Sequence, residues 1–354
     1  MAAAIAPGCN PGRLVRLMQD SVERCGRDLT GSTVFTEAAT GAYIVTPVLA
    51  AMAGAEQVLA CTRTTRYGTA DDVAERTYAL AAIADVRKRI RIVADKSEES
   101  LARADIVTNS GHVRPIDRPT IGRMKRSAAV PLMYESWEYR WRDVDLIACR
   151  ERGIPVAGTN ERHPAVDVFS YLGTMAVKLL LDAGVAPYGC RALLLCDNPF
   201  SDYIERGLAG AGAVVDRVVH LGQAQAATRY DAIVLAMRPR DEPAAGPDEA
   251  ALIAANWPGA VLAQFWGDID RSALLANGIP VWPPESPASG HMAILPSAVG
   301  PEPIVRLQTG GLKVGELLWR ARSEGHDCER AVDLAVDSGF ADRIEIAFTT
   351  DRTP

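Results

Sequence analysis

The chain has 354 residues, 48% of them hydrophobic and 23% charged, with a formal net charge of −6. That length fits two domains of ordinary size better than one continuous core. The acidic balance excludes a nucleic acid or an anionic membrane as the expected partner, since both demand basic surface.

The apolar residues alternate between short continuous runs and helix-spaced windows. A strand is expected over 32–38 (STVFTEA), then a helix in YIVTPVLAAMAGA and a strand in QVLACT. DDVAERTYALAAIADV reads as a helix, IRIVAD as a strand, EESLARA as a helix and DIVTNS as a strand, and AVPLMY closes this half. Residues 163–184 are apolar at helical spacing, long enough for one helix to cross between domains. The second half repeats the rhythm with RALLLC, a helix to Gly210, AVVDRVVHL, YDAIVLAM, the helix DEAALIAAN and GAVLAQFW. EPIVRLQTGGLKVGELLWRARSEG is expected to return as a helix over the first domain, and the tail from Asp351 to fray.

Repeated βα units imply an α/β protein with two Rossmann-like, doubly wound parallel-sheet domains joined by an interdomain crossover helix. The two halves also parallel each other: 104–156 and 231–281 share a strand, a polar loop, a helix, a strand, an aromatic turn and a closing Gly-Ile-Pro-Val. The expected domains are 1–162, completed by a C-terminal return over 301–350, and 163–300. The most apolar stretch, AYIVTPVLAAMAGA, carries a proline and falls short of a membrane span. The opening MAAAIAPGCNPGR does not read as a signal peptide. Seven cysteines without a C-x-x-C pair predict reduced thiols in a cytoplasmic protein, with Cys61, Cys190 and Cys196 in the core.

Residues 141–181, WRDVDLIACRERGIPVAGTNERHPAVDVFSYLGTMAVKLLL, resemble the join between the substrate and cofactor domains of the D-2-hydroxyacid dehydrogenases. Asp143, Val144, Asp145, Gly153-Ile154-Pro155-Val156, Thr159-Asn160 and Ala165-Val166 keep that cadence. The first hundred residues are similar to the substrate domain of S-adenosylhomocysteine hydrolase. Both resemblances imply two lobes with a ligand cleft between them, and the first implies NAD- or NADP-linked oxidoreduction. The chain departs from the dehydrogenases at the cofactor turn, where Asp197-Asn198-Pro199-Phe200 replaces Gly-x-Gly-x-x-Gly. Trp266 stands at the place of their substrate arginine, and His291 corresponds to their histidine.

Ligands of doubly wound sheets lie at the carboxyl ends of strands, so the loops there carry the candidates. Glu37, Thr40, Gly41, Arg63, Arg66 and Asn109 are candidate cofactor contacts; the two arginines suit either a ribose 2′-phosphate or a carboxylate. The aromatic run MYESWEYRW walls a planar ligand or forms a contact between lobes or between protomers, and Glu135 within it is a candidate general base. His112 and His291 are candidate acid–base groups, and Asn160, His163, Asn198 and Trp266 candidate substrate contacts. No ligand pair at metal spacing stands out. The expected function is a small-molecule enzyme of biosynthetic metabolism using NAD or NADP. The alternatives are an S-adenosylmethionine-dependent methyltransferase or hydrolase on the same scaffold, and a non-catalytic ligand-binding protein. The aromatic run and the 163–184 segment together predict a homodimer.

Overall fold

The structure, a computed structural model, describes residues 7–344. The chain forms two compact units: residues up to Val168 together with those from Gly300 onward, and Phe169–Val299. In chain order the strands are β1 (Thr33–Glu37), β2 (Gln57–Cys61), β3 (Ile90–Val93), β4 (Ile106–Val107), β5 (Val130–Pro131) and β6 (Val156–Thr159). They continue with β7 (Arg191–Leu195), β8 (Val214–Val218), β9 (Ala232–Ala236), β10 (Val261–Trp266), β11 (Val281–Trp282) and β12 (Ala341–Asp342).

In unit 1 the strands β3, β2, β1 and β4 lie side by side, all parallel. The Val107 N–H donates to the Ala129 carbonyl at 2.9 Å and the Ala129 N–H to Asp105 at 2.9 Å, which carries the sheet on to β5. Then comes β6, parallel, and β12, antiparallel at the edge. The order 3-2-1-4-5-6 is that of a dinucleotide-binding sheet, and its direction of winding reverses between β1 and β4. Val34, Phe35, Val58, Ile106 and Val107 are fully buried, as expected of parallel strands covered on both faces. The 22-residue helix Glu302–Ser323 is buried along most of its length and completes this core.

Unit 2 is one parallel sheet in the order β8-β7-β9-β10-β11. Counted within the unit this is 2-1-3-4-5, a second doubly wound order, with its switch point between β7 and β9. The helices Tyr171–Asp182 and Phe200–Gly210 touch backbone to backbone: a Cβ on Gly207 would lie 2.3 Å from the Gly173 Cα.

The α/β fold with two doubly wound sheets stands, and the C-terminal helix returns to unit 1. The crossover differs from expectation. Helix begins only at Tyr171, and residues 163–168 form turns in which the Val166 and Asp167 N–H groups both donate to His163 at 2.8 Å. Val166 and Val168, which lend the segment its helical period, are instead packed with Cys25 and Leu307 in unit 1. The chain therefore leaves unit 1 after Val168 and returns at Gly300, against the expected 162 and 301. The tail from Asp351 lies outside the described residues. Among the described residues no helix is long and apolar enough to cross a membrane.

Candidate functional site

The strand ends of unit 1 gather acidic side chains. β1 ends on Glu37, which is 6% exposed. Its Oε2 accepts the His112 N–H at 3.1 Å. A Cβ on Gly111 would sit 2.3 Å from that oxygen, so only glycine lets the 111–113 turn close over the carboxyl. Burial raises the Glu37 pKa, opposed by the His112 amide, the Arg114 charge and the Gly111 amide. Beside it the hydroxyls of Thr36, Thr108 and Ser110 form a buried chain at 2.8 and 2.7 Å. Asn109 accepts the Met133 N–H at 2.7 Å, tying the end of β4 to the end of β5.

Glu135, past the end of β5, and Glu161, past the end of β6, are both buried. Burial raises the Glu135 pKa, although Trp137 Nε1 donates to its Oε2 and the Arg162 Nε lies 3.2 Å from its Oε1. Glu161 is raised well above the usual carboxylate range by burial first, then by the charges of Glu138 and Glu135. Glu138 is pushed up to about 7 by burial, with Arg140 opposing and Glu135 adding to the rise. The Tyr43 phenol is raised by burial and by the charges of Glu37, Glu161 and Glu138. Burial thus raises the carboxyl groups of unit 1, and takes Glu138 to about 7, where it can both donate and accept a proton. Glu135, the general base expected from the sequence, is committed to Arg162 and Trp137. Glu138, three residues on in the same aromatic run, is the one pushed up to about 7. Sequence reasoning passed over Glu138, Glu161 and Tyr43 as acid–base groups, although the first lay in plain view in MYESWEYRW.

The other side of this edge is cationic. Arg63 and Arg66 are exposed, Arg66 inside a turn closed by Thr65 and Gly68, whose backbones exchange hydrogen bonds of 3.0 and 3.2 Å, and Arg63 two residues before that turn. Among the described residues neither arginine enters an ion pair. Gly41 adopts φ 64° and opens the turn Gly41–Ile44 after β1. A Cβ on Gly68 would meet Thr40 Cγ2 at 3.2 Å, so the arginine turn and the Thr40-Gly41 turn are neighbours. Burial and then Arg63 lower the His112 pKa, which favours the neutral imidazole at pH 7. The structure therefore brings Glu37, Thr40, Gly41, Arg63, Arg66, Asn109 and His112 to one edge of one sheet.

The expected substrate contacts fare differently. Asn160 donates to the Gly339 carbonyl at 2.9 Å and accepts the Arg162 N–H at 3.1 Å. His163 stacks on Phe340 at 3.8 Å, and its Nδ1 accepts the Ala165 N–H at 3.1 Å. Both hold unit 1 together. Trp266 is 5% exposed in the core of unit 2, stacked on Phe200 and donating to the Gly290 carbonyl at 3.2 Å. Its indole, at the end of β10, packs in that core with Phe200 and Phe265. His291 lies on the exposed loop after β11, with Nδ1 3.1 Å from the Ser289 carbonyl oxygen.

In unit 2 the turn after β7 is a clamp. Asp197 accepts from the Arg238 N–H at 2.9 Å and from the Arg240 guanidinium at 2.7 Å, while Asn198 donates to the Ala236 carbonyl at 2.7 Å. These bonds tie the end of β7 to the end of β9 across the switch point. Pro199 has no N–H, the Phe200 N–H is taken by Asn198 Oδ1 at 3.1 Å, and the Ser201 N–H by the Asn198 carbonyl at 3.2 Å. A pyrophosphate in the usual pose over this turn meets a proline without an N–H and two amides already bonded, so these residues fit it poorly. A cavity of about 460 Å³ opens beside the clamp toward β8, lined among others by Cys196, Ser201, Arg217 and Gln223. Arg217 is there paired with Asp202 at 2.5 Å and Glu205 at 3.3 Å. Among the described residues no group of His, Cys, Asp or Glu side chains is placed to hold a metal ion.

No family model matches the chain, and no curated protein sequence matches it. Among solved structures it is similar to the A chain of dipicolinate synthase from Bacillus subtilis, with a TM-score of 0.54, 10% identity, and coverage of 84% of this chain and 99% of that one. The matching chain of dipicolinate synthase from Bacillus halodurans gives a TM-score of 0.50 at 11% identity, covering 80% of this chain and 97% of that one. At these identities the likeness establishes the fold alone, a two-domain Rossmann architecture.

Proposed function

We propose that the chain is a small-molecule enzyme of the oxidoreductase type, linked to NAD or NADP, whose proton transfers run through the glutamates of unit 1. The observation that carries this reading is the gathering of the buried Glu37, Glu135 and Glu161, with Glu138 pushed up to about 7 by burial, at the strand ends of a sheet in dinucleotide-binding order. A group poised there exchanges the proton that accompanies interconversion of a hydroxyl and a carbonyl. Arg162 opposes the rise that burial imposes on Glu135, and negative charge on Glu135 in turn raises Glu138. Thr40, Gly41, Arg63 and Arg66 would hold the nucleotide. When bound, it supplies the hydride acceptor or donor that amino-acid side chains lack.

Hydrogen exchange with and without NADH, NADPH and S-adenosylmethionine tests this. Protection by a nicotinamide nucleotide at residues 37–41 and 62–68 is expected, with no effect of S-adenosylmethionine. Protection confined to 196–223, or none with either nucleotide, would refute the reading.

A further inference from the structure

We infer that Arg63, Arg66 and Tyr67 recognise an adenosine whose ribose carries a phosphate monoester, so that unit 1 takes NADP(H) in preference to NAD(H). This rests on the nucleotide reading above and names the form of the nucleotide. Three features place the recognition here. Arg63 stands two residues beyond the end of β2, where sheets of this order select between a ribose hydroxyl and a ribose phosphate. A carboxylate at that point would accept the hydroxyls of an unphosphorylated ribose; this chain offers two guanidinium groups instead. Neither is neutralised: Arg66 donates to the Tyr67 hydroxyl at 2.5 Å, and no carboxylate among the described residues pairs with either one. The chain carries a net charge of −6, so an unpaired cationic pair within one loop is a local exception to its acidic balance.

The second feature is flatness. Tyr67 is 69% exposed, and the Arg66 guanidinium carbon lies 4.7 Å from the centre of its ring. A purine stacks on such an aromatic and guanidinium surface, while the free edges of the guanidinium groups bond a phosphate dianion. The third is adjacency. The turn touches Thr40 through Gly68, and Thr40 precedes the left-handed Gly41 at the head of the first strand's helical turn. The phosphate-selecting residues therefore border the loop that follows β1, as a single extended nucleotide requires. The corresponding place in unit 2 differs in charge: Arg217 is shared between Asp202 and Glu205, which repels a phosphate.

Fluorescence titration of the full chain with NADPH and with NADH tests the assignment, with coenzyme A as a carrier of a ribose 3′-phosphate. NADPH is expected to bind about ten- to a hundredfold more tightly than NADH, the range of one or two charge-assisted bonds. The double change Arg63→Ala with Arg66→Ala should erase that gap by weakening NADPH more than NADH, and should leave the melting temperature in place, since both side chains are exposed. The Arg63→Lys with Arg66→Lys variant should keep part of the preference, having charge without the guanidinium fork. Equal or tighter binding of NADH by the unaltered chain would overturn the inference, as would a preference that survives the alanine changes. Coenzyme A binding as tightly as NADPH would overturn the 2′ assignment. Binding of neither dinucleotide is a separate result, and it removes the nucleotide reading itself.

Discussion

Glu138→Gln isolates what it costs unit 1 to keep a carboxyl poised at neutrality. Moving this group from its ordinary 4.5 up to about 7 costs the ionised form about 3 kcal/mol in the folded protein. The pH window follows from the sign of that shift. Below about pH 4.5 folded and unfolded chains both carry the proton, and the site costs nothing. Between 4.5 and 7 the folded chain holds a proton that the unfolded chain releases, so stability falls as pH rises; above 7 the full cost is present. Glutamine keeps the shape and cannot ionise. It also removes one of the charges that raise Glu161, which acts in the same direction. The variant should therefore gain about 2–3 kcal/mol over the natural chain at pH 8 and almost nothing at pH 4.5. Urea unfolding at the two pH values, read by tryptophan fluorescence, measures the difference. A gain of equal size at both, or a loss at pH 8, would refute the reasoning. Turnover should fall in the stabilised variant, because the strain removed is the acid–base function.

Three further outcomes are expected. Gly207→Ala forces the Tyr171–Asp182 and Phe200–Gly210 helices apart, an overpacking of about 1–3 kcal/mol offset by roughly 1 kcal/mol of helix propensity. Calorimetry should show a lower melting temperature, and an unchanged or higher one would count against the backbone contact. Asp197→Ala leaves the Arg238 N–H and the Arg240 guanidinium without their acceptor, at about 1–3 kcal/mol. A urea midpoint equal to that of the natural chain would show that the clamp bears no strain. Trp141, 71% exposed, and Trp137, 45% exposed, predict self-association. Light scattering at micromolar concentration should give twice the chain mass, and the single-chain mass would dismiss the dimer.

The fold was legible because parallel strands buried on both faces write unbroken apolar runs such as RALLLC, and because each is followed by a helical window. The same rule misled at 163–168. Val166 and Val168 continue the helical period into a turn, since a side chain filling another element's core obeys burial and not helix geometry. That Arg63 and Arg66 are exposed in a loop could be read from sequence, because such positions depend on few neighbours. Asn160 and His163 could not: their partners, Gly339 and Phe340, come from the far end of the chain. Glu135, Glu138 and Glu161 were each visible as carboxylates, yet which of them titrates near neutrality depends on how two separate strand ends bury them together. The missing glycines after β7 were visible too, and the clamp of Asp197 and Asn198 supplies their physical reason.

Unit 1 is written in two pieces, before residue 169 and after residue 299, while unit 2 is a single continuous stretch. That division sets an order on the ribosome, where domains fold as their residues emerge. Unit 2 has every strand of its sheet once residue 299 is out. Unit 1, begun first, waits for the Glu302–Ser323 helix, whose buried length completes its core, and for β12, which finishes its edge. At ordinary elongation speeds the intervening stretch takes roughly ten seconds. Through that interval the apolar strands of the older half stand uncovered, a window in which a chaperone can hold them. A chain stopped at residue 299 reads this directly: hydrogen exchange should find protection in 169–299 and little before it, and equal protection in both would contradict the order. The half that carries the glutamates is the first to be made and the last to close.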